Sequence, residues 1–151
     1  MTLDYRKASL KDAELLIDIY NASFYEDYLR YGACPGYGKT KEMMEESIRQ
    51  QPKYIILSDN EPVGCISCKQ VENGVYEIGN LCVIPAFQGK GIGTQAIRFF
   101  KMLHADWKRI SLVTPIDKKE NVKFYTEKCG FHIVSTEKDG NVELARFLLE
   151  R

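Results

Sequence analysis

The chain lacks an excess of charge of either sign. Its 151 residues include 21 Lys and Arg and 21 Asp and Glu, so the formal net charge is zero. Proteins that bind nucleic acid through its phosphates carry a basic face or block. The short clusters here, such as Lys118-Lys119, are typical of solvated surface. We therefore expect no nucleic-acid partner.

Long apolar runs are also missing. No stretch approaches the roughly 20 residues that a membrane-spanning helix needs, and the first six residues, MTLDYR, contain no apolar signal region. We expect no membrane partner and a cytoplasmic location.

Cysteine is too scarce and too irregular for a disulfide framework. The five cysteines are an odd number, which fits reduced thiols in the cytoplasm. Cys65 and Cys68 form a C-x-x-C pair, but in an apolar run with strand character two positions three apart face opposite sides. No second such pair or histidine pair completes a metal site. We predict core cysteines and no metal.

The rest of the composition is that of an ordinary globular domain, 44% apolar and 28% charged, and we expect one domain over residues 1–151. The apolar periods predict a series of strands and helices in an α+β fold, an antiparallel meander followed by a β-α-β crossover. Residues 22–40 are aromatic and are expected to be irregular. The predicted strands are 2–8, 54–57, 63–68, 75–84, 110–114, 131–135 and 142–149, and the predicted helices follow Ser9 and span 40–50, 94–104 and 121–128.

Residues 88–93 read QGKGIG, between a strand-like run and a helical one. Glycines at a helix start leave backbone N–H groups bare, and several such donors together with the helix dipole suit a phosphate or pyrophosphate. The dinucleotide fingerprint G-x-G-x-x-G is incomplete, because Thr94 takes the place of its last glycine and no acid follows about 20 residues later. A P-loop is equally incomplete: Gly38-Lys39-Thr40 matches its end, but Ala33 occupies the place of its first glycine.

A third interpretation is a resemblance to a known family. Gln88-x-x-Gly91-x-Gly93 resembles the acyl-CoA-binding signature of the GNAT superfamily of N-acetyltransferases. Residues 76–85 look like the family's fourth strand and its exit, and Asn121-x-x-Phe-Tyr125 followed by Gly130-Phe131 is similar to a further family signature. The resemblance implies the GNAT acyl-CoA N-acyltransferase fold, a mixed, mostly antiparallel sheet of six to seven strands flanked by about four helices.

The resemblance also implies acetyl-CoA as cosubstrate. Backbone N–H groups of the glycine loop, residues 88–94, would bind the pyrophosphate, and Gln88 would brace the loop. The pantetheine arm would follow the fourth strand, where a backbone N–H would stabilise the thioester oxygen. Asn121 would contact pantetheine or order its loop, although it is also a good helix N-cap. The expected CoA-binding residues are Leu81, Cys82, Val83, Gln88, Gly89, Lys90, Gly91, Ile92, Gly93, Thr94 and Asn121.

Two residues are candidates for proton transfer. The family places a tyrosine at Tyr125 beside the CoA sulfur, and a phenol with an ordinary pKa of about 10 arrives protonated and able to act as general acid. The alternative is that Tyr125 only packs the helix on the sheet. Glu77 occupies the place of a glutamate that accepts the amine proton through water, a role that requires a buried carboxylate. Otherwise Glu77 is solvated or braces a loop. Strand alternation places it on the face of Gly79 unless a bulge intervenes.

The acceptor is expected to be the amine of a small molecule or peptide. Phe24, Tyr25, Tyr28 and Tyr31, together with nearby acids, could line a pocket for a cationic amine, or they could form an amphipathic helix packed on the sheet. A GNAT-fold domain that binds acyl-CoA without catalysis is the main alternative function. The resemblance leaves a homodimer open, since dimers are common in the family.

Overall fold

A computed structural model describes every residue of the sequence, Met1–Arg151. The strands form one seven-stranded sheet in the order β1-β2-β3-β4-β5-β7-β6, which confirms the expected α+β class. The strands are β1 Leu3–Lys7, β2 Lys53–Ser58, β3 Glu61–Glu72, β4 Val75–Val83, β5 Arg109–Pro115, β6 His132–Asp139 and β7 Val142–Glu150; the α-helices are α1 Ala13–Tyr31, α2 Lys41–Gln50, α3 Ile92–Leu103 and α4 Lys119–Lys123.

The sheet is mixed. β1 with β2 and β2 with β3 are antiparallel, as are β5 with β7 and β6 with β7. β4 and β5 are parallel, with a register from Val75↔Arg109 to Glu77↔Ser111. Parallel neighbours need a crossover, and α3 provides it. The predicted meander and β-α-β crossover are therefore confirmed.

The chain divides into two compact units. The first contains Met1–Cys68 and Asn80–Ala96, and the second contains Lys69–Gly79 and Ile97–Arg151. The core of the first unit joins α1 and α2 to the inner strands through residues that are at most 9% exposed: Ala8, Ala13, Leu16, Ile19, Tyr20, Met44, Ile55, Cys65 and Cys82. The buried aromatic residues of the second unit are Tyr76, Phe100, Trp107, Tyr125, Phe131 and Phe147. A single domain over residues 1–151 stays a prediction.

The prediction of an irregular segment at residues 22–40 was wrong over its first half. Helix α1 continues to Tyr31 and ends at Gly32, whose φ of 75° is the left-handed conformation that commonly ends a helix. Thus Phe24, Tyr25, Tyr28 and Tyr31 are all helical. Only the segment between Gly32 and Thr40 is a loop.

The helix predicted at residues 121–128 is also different in detail. Helix α4 begins at Lys119 after Lys118 as N-cap, and a π-helical turn, Phe124–Lys128, follows it. Asn121 lies in the third position of α4 and is not an N-cap. The interpretation of Asn121 as a capping residue was therefore wrong.

Candidate functional site

The glycine loop connects the short turn Pro85–Phe87 to the start of α3. Gly89 and Gly91 have φ of 76° and 81°, a conformation that favours glycine, and a Cβ at either position would meet no atom within 4 Å. The space beside both backbones is therefore open. Gln95 N donates to Gly91 O at 3.1 Å, so the N–H groups of the first turn precede the repeating bonds of α3. A phosphate group fits such a loop.

Gln88 fixes the loop to the end of β4. Its side-chain Nε2 donates to the carbonyl oxygen of Val83 at 2.9 Å, although the residue itself is exposed. Gln88 lies in the turn between β4 and α3, so this bond ties that turn to the end of β4. The glycine loop and residues 81–83 of β4 thus lie in the first unit and are linked by a side chain.

Burial alternates along β4. Tyr76, Ile78 and Cys82 are buried, whereas Glu77 and Gly79 are more exposed, as the strand period predicts. The Cys82 thiol is enclosed, and burial raises its pKa strongly. Its side chain belongs to the core, so only its backbone can face a ligand. Cys65 is also buried, which raises the pKa of its thiol to about 11. All five cysteines are free.

Tyr125 lies in the π-helical turn of the second unit. Its side chain is buried, with ring centroids 5.0 Å from Phe124, 5.8 Å from Phe131 and 5.8 Å from Phe147. Its carbonyl oxygen accepts a hydrogen bond from Phe131 N at 2.9 Å. π-Helical turns are rare and are frequent at functional sites, and the sequence pattern of an ordinary helix gave no sign of this one.

Asn121 is held by β5. Its Nδ2 donates to Thr114 Oγ1 at 3.1 Å, and Thr114 is itself buried. The α-helix changes to a π-helical turn between Asn121 and Tyr125, so the two residues are not separated by one regular α-helical turn. Both remain in the second unit.

Glu77 forms an ion pair with Arg146 of β7, with Oε2 and Nη1 3.8 Å apart and both side chains 41% exposed. The carboxylate is therefore half-exposed and faces a cation. The burial that a general base at this position was expected to have is not found. The sequence pattern did not identify Arg146, because a residue of β7 meets β4 only through the strand order of the folded sheet.

The aromatic residues of α1 separate by burial. Phe24 packs on the core, with its ring 5.7 Å from that of Tyr20. Tyr25 and Tyr28 are exposed, and both approach Tyr37 of the following loop, at centroid distances of 5.9 Å and 4.5 Å. Tyr31 lies under the guanidinium of Arg30. Of the four aromatic residues predicted to line a pocket, Phe24 thus belongs to the core, whereas Tyr25 and Tyr28 form an exposed aromatic cluster with Tyr37.

The burial of Lys53 was not predicted from the sequence. Lys53 is 1% exposed, and its Nζ donates to the Tyr20 hydroxyl at 3.0 Å. The Tyr20 hydroxyl in turn lies 3.2 Å from Asn80 Oδ1 and 3.8 Å from Cys65 Sγ. Burial lowers the pKa of Lys53 and raises that of Tyr20. A lysine at the first position of a strand gives no sequence signal of burial, since lysine is usually exposed.

No group of three or more His, Cys, Asp or Glu side chains is placed to hold a metal ion. None of the helices is both long enough and apolar enough to span a membrane.

Comparison with known proteins finds the same family that the sequence motifs resemble. The family model described as Acetyltransferase (GNAT) family matches residues 14–131. The uncharacterized protein YrkN of Bacillus subtilis strain 168 is 33% identical over 82 residues, which are 54% of this chain and 44% of that protein. The matched region thus spans less than half the length of that curated relative.

Two solved structures share the fold over nearly their full lengths. An acetyltransferase from Thermus thermophilus has a TM-score of 0.80 at 23% identity, covering 100% of this chain and 98% of its own. The PaiA N-acetyltransferase from Thermoplasma acidophilum, solved in complex with coenzyme A, has a TM-score of 0.77 at 19% identity, covering 97% and 98%. At such identities the similarity shows the fold.

Proposed function

The chain belongs to the acetyltransferase (GNAT) family, and from that premise we propose that it is an enzyme that transfers an acetyl group from acetyl-CoA to a primary amine. The observation that carries the proposal is the glycine loop at the start of α3, where two glycines with positive φ border open space. Backbone N–H groups of residues 89–94 bind the pyrophosphate, because they are donors at the positive end of the helix dipole.

The acceptor nitrogen attacks the thioester carbonyl carbon directly. A C–N bond forms, the C–S bond breaks, one proton leaves the nitrogen and one proton reaches the departing sulfur. Holding both reactants in one site supplies much of the rate. Residues 81–83 of β4 hold the pantetheine arm, and a backbone N–H there stabilises the charge that develops on the carbonyl oxygen, an effect worth about 3 kcal/mol.

Tyr125 and Glu77 have the proton-transfer roles in this proposal. The Tyr125 hydroxyl protonates the sulfur, and Asn121 orders the segment that carries Tyr125 through its bond to Thr114. Glu77, although half-exposed and not buried, is the candidate that accepts the nitrogen's proton through a water molecule. Its ion pair with Arg146 is an alternative, purely structural role for the same carboxylate, so the two roles need separate tests.

The acceptor is a small-molecule or peptide amine, and the exposed Tyr25 and Tyr28 are its proposed contacts on α1, together with Phe24 and Tyr31. A cytoplasmic location belongs to the same proposal, and the five free thiols are in keeping with it. The proposal also includes a homodimer, since dimers are common in the family.

The test is release of free CoA thiol from acetyl-CoA in the presence of a panel of primary amines. We expect at least one amine to accelerate thiol release above the rate of hydrolysis, with an N-acetylated product of 42 Da greater mass, roughly the mass of an added acetyl group less one hydrogen. Acetyl-CoA that binds without any amine-dependent release would instead support a non-catalytic binding domain. Absence of acetyl-CoA binding would contradict both functions.

A further inference from the structure

The first unit encloses a positive charge that no carboxylate balances. The Lys53 ammonium is 1% exposed, and its contacts are the hydroxyl and the ring face of Tyr20, at 3.0 Å and 5.3 Å. The other charged or titratable groups that act on it are Cys65, Cys82 and a second cation, Lys39. Burying an ammonium without an anion is unfavourable. An anion bound nearby would offset this cost.

The lysine determines the direction of the hydrogen bonds around it. An ammonium only donates, so the Tyr20 oxygen accepts from Lys53 and its own proton goes to another group. Asn80 Oδ1, at 3.2 Å, is a nearer and stronger acceptor than Cys65 Sγ, at 3.8 Å. The order is therefore Lys53 to Tyr20 to Asn80.

This order orients the Asn80 carboxamide. Tyr20 occupies the amide oxygen, and Asn80 N donates to Ser67 Oγ at 2.9 Å, so the residue is fixed at both its side chain and its backbone. Neither bond uses the two hydrogens of Nδ2, which lie on the other side of the planar amide. Asn80 is partly exposed, whereas Lys53 and Tyr20 are buried. The chain of bonds thus begins at a buried cation and ends at the amide of a partly exposed residue.

We propose that the acceptor amine carries a carboxylate, and that the Asn80 carboxamide binds this carboxylate with Tyr20 and Lys53 as positioning residues behind it. Two N–H donors suit carboxylate oxygens, and the buried cation attracts the negative charge through a medium that screens it weakly. Asn80 directly precedes Leu81, the first residue of the segment that we assign to the pantetheine arm. A carboxylate held by Asn80 therefore brings an amino group of the same molecule close to the thioester. The inference rests on the proposed acetyl transfer.

The test uses matched acceptors that differ in the carboxylate: alanine against ethylamine, phenylalanine against phenethylamine, and lysine against cadaverine. Thiol release is measured for the wild type and for Asn80→Asp, Lys53→Met and the control Lys7→Met, an exposed lysine on β1. Each variant is compared with the wild type on the same amine, so differences in the amines' own reactivity cancel. The acetyl-CoA Kd and the Tm of every variant report whether it is folded.

We expect the wild type to favour at least one amino acid over its decarboxylated partner by tenfold or more in kcat/KM. Asn80→Asp and Lys53→Met should lower kcat/KM for that amino acid about tenfold, mainly by raising KM, and Lys53→Met should change kcat/KM for the decarboxylated amine less than twofold. Lys7→Met should change neither. If the network had a purely structural role, the substitutions would lower kcat/KM alike for the amino acid and for its decarboxylated partner. That result would contradict the inference.

Two outcomes separate this inference from the proposed function. If the wild type acetylates amines with no preference for a carboxylate, the inference fails and the acetyltransferase function stands. If acetyl-CoA binds but no amine of these sets or of the broader panel accelerates thiol release, the proposed function fails and the inference fails with it.

Discussion

At the scale of single residues, Tyr125 combines packing with its proposed chemistry. Three aromatic rings surround its own, so its loss would leave a cavity in the second unit. Tyr125→Phe retains the ring and removes only the hydroxyl. Because a positioned general acid contributes roughly 100-fold to 10,000-fold, we expect kcat to fall at least about 100-fold, with the Kd of acetyl-CoA changed less than about twofold. Steady-state kinetics and calorimetric binding measure the two quantities.

Tyr76→Phe is the matched control for this substitution. It removes the hydroxyl that donates to Asp106 Oδ1 at 2.6 Å, outside the candidate site, and should lower the free energy of unfolding by about 1 kcal/mol without changing kcat. A Tyr125→Phe enzyme with wild-type kcat would show that the residue serves packing alone.

The carboxylate of Glu77 has two candidate roles, general base and ion-pair partner of Arg146. Glu77→Gln removes the charge from both the proposed base and the ion pair, whereas Arg146→Met removes only the partner. If Glu77 accepts the proton, Glu77→Gln should lower kcat at least about tenfold and Arg146→Met should not. Both should change the free energy of unfolding by less than about 1 kcal/mol, since the pair is half-exposed. Equal kinetic effects of the two substitutions would favour the structural role.

At the scale of elements, the sequence predicted the strands and the crossover because their signals are local. The alternation along β4 and the glycines before α3 follow directly from strand and helix geometry. The length of α1 did not follow in the same way. Its second half has aromatic residues on several sides, with Tyr25 and Tyr28 exposed, so no single apolar face continues the helical pattern. Contacts with Tyr37 of the loop support these rings instead.

Two further elements depend on contacts that spacing cannot reveal. The π-helical turn at Phe124–Lys128 adds a residue to the turn in which Tyr125 packs among Phe131 and Phe147, and that packing comes from distant strands. The burial of Lys53 likewise depends on Tyr20 of α1, 33 positions earlier. The motifs therefore predicted the glycine loop to which we assign CoA binding, while the pairing of Glu77 with Arg146 and the polar network required the folded sheet.

At the scale of the whole molecule, the buried lysine predicts that stability and acceptor binding oppose each other. Replacing a buried charge by an apolar side chain is often neutral or stabilising by about 1–4 kcal/mol, whereas removing one partner of a buried polar pair is destabilising. We expect Lys53→Met to leave the free energy of unfolding at pH 7 unchanged or raised. Tyr20→Phe, which removes the hydroxyl acceptor of Lys53, should lower it by about 1–3 kcal/mol. Urea denaturation of both variants measures these opposite signs, and a loss of stability in Lys53→Met would contradict an unbalanced buried charge.

The same lysine gives the stability a definite dependence on pH. Burial lowers the pKa of Lys53 in the folded protein, while in the unfolded chain the group has its ordinary pKa of about 10.4. Between these two values the unfolded chain binds more protons than the folded protein, so the free energy of unfolding of the wild type rises with pH. Below the folded-state pKa both states are charged and the cost of burial is present in full. The stability advantage of Lys53→Met should therefore be greatest at low pH and should shrink as the pH approaches about 10.4. Parallel denaturation curves at several pH values measure this difference. Because Lys53 also lowers the pKa of the buried Cys65 and Cys82 thiols, the two proteins are compared well below the pKa of about 11 to which burial raises Cys65, where both thiols stay protonated in the folded protein. A difference that is independent of pH would show that Lys53 titrates alike in the folded and unfolded states, and its charge would then be solvated or balanced in the folded protein.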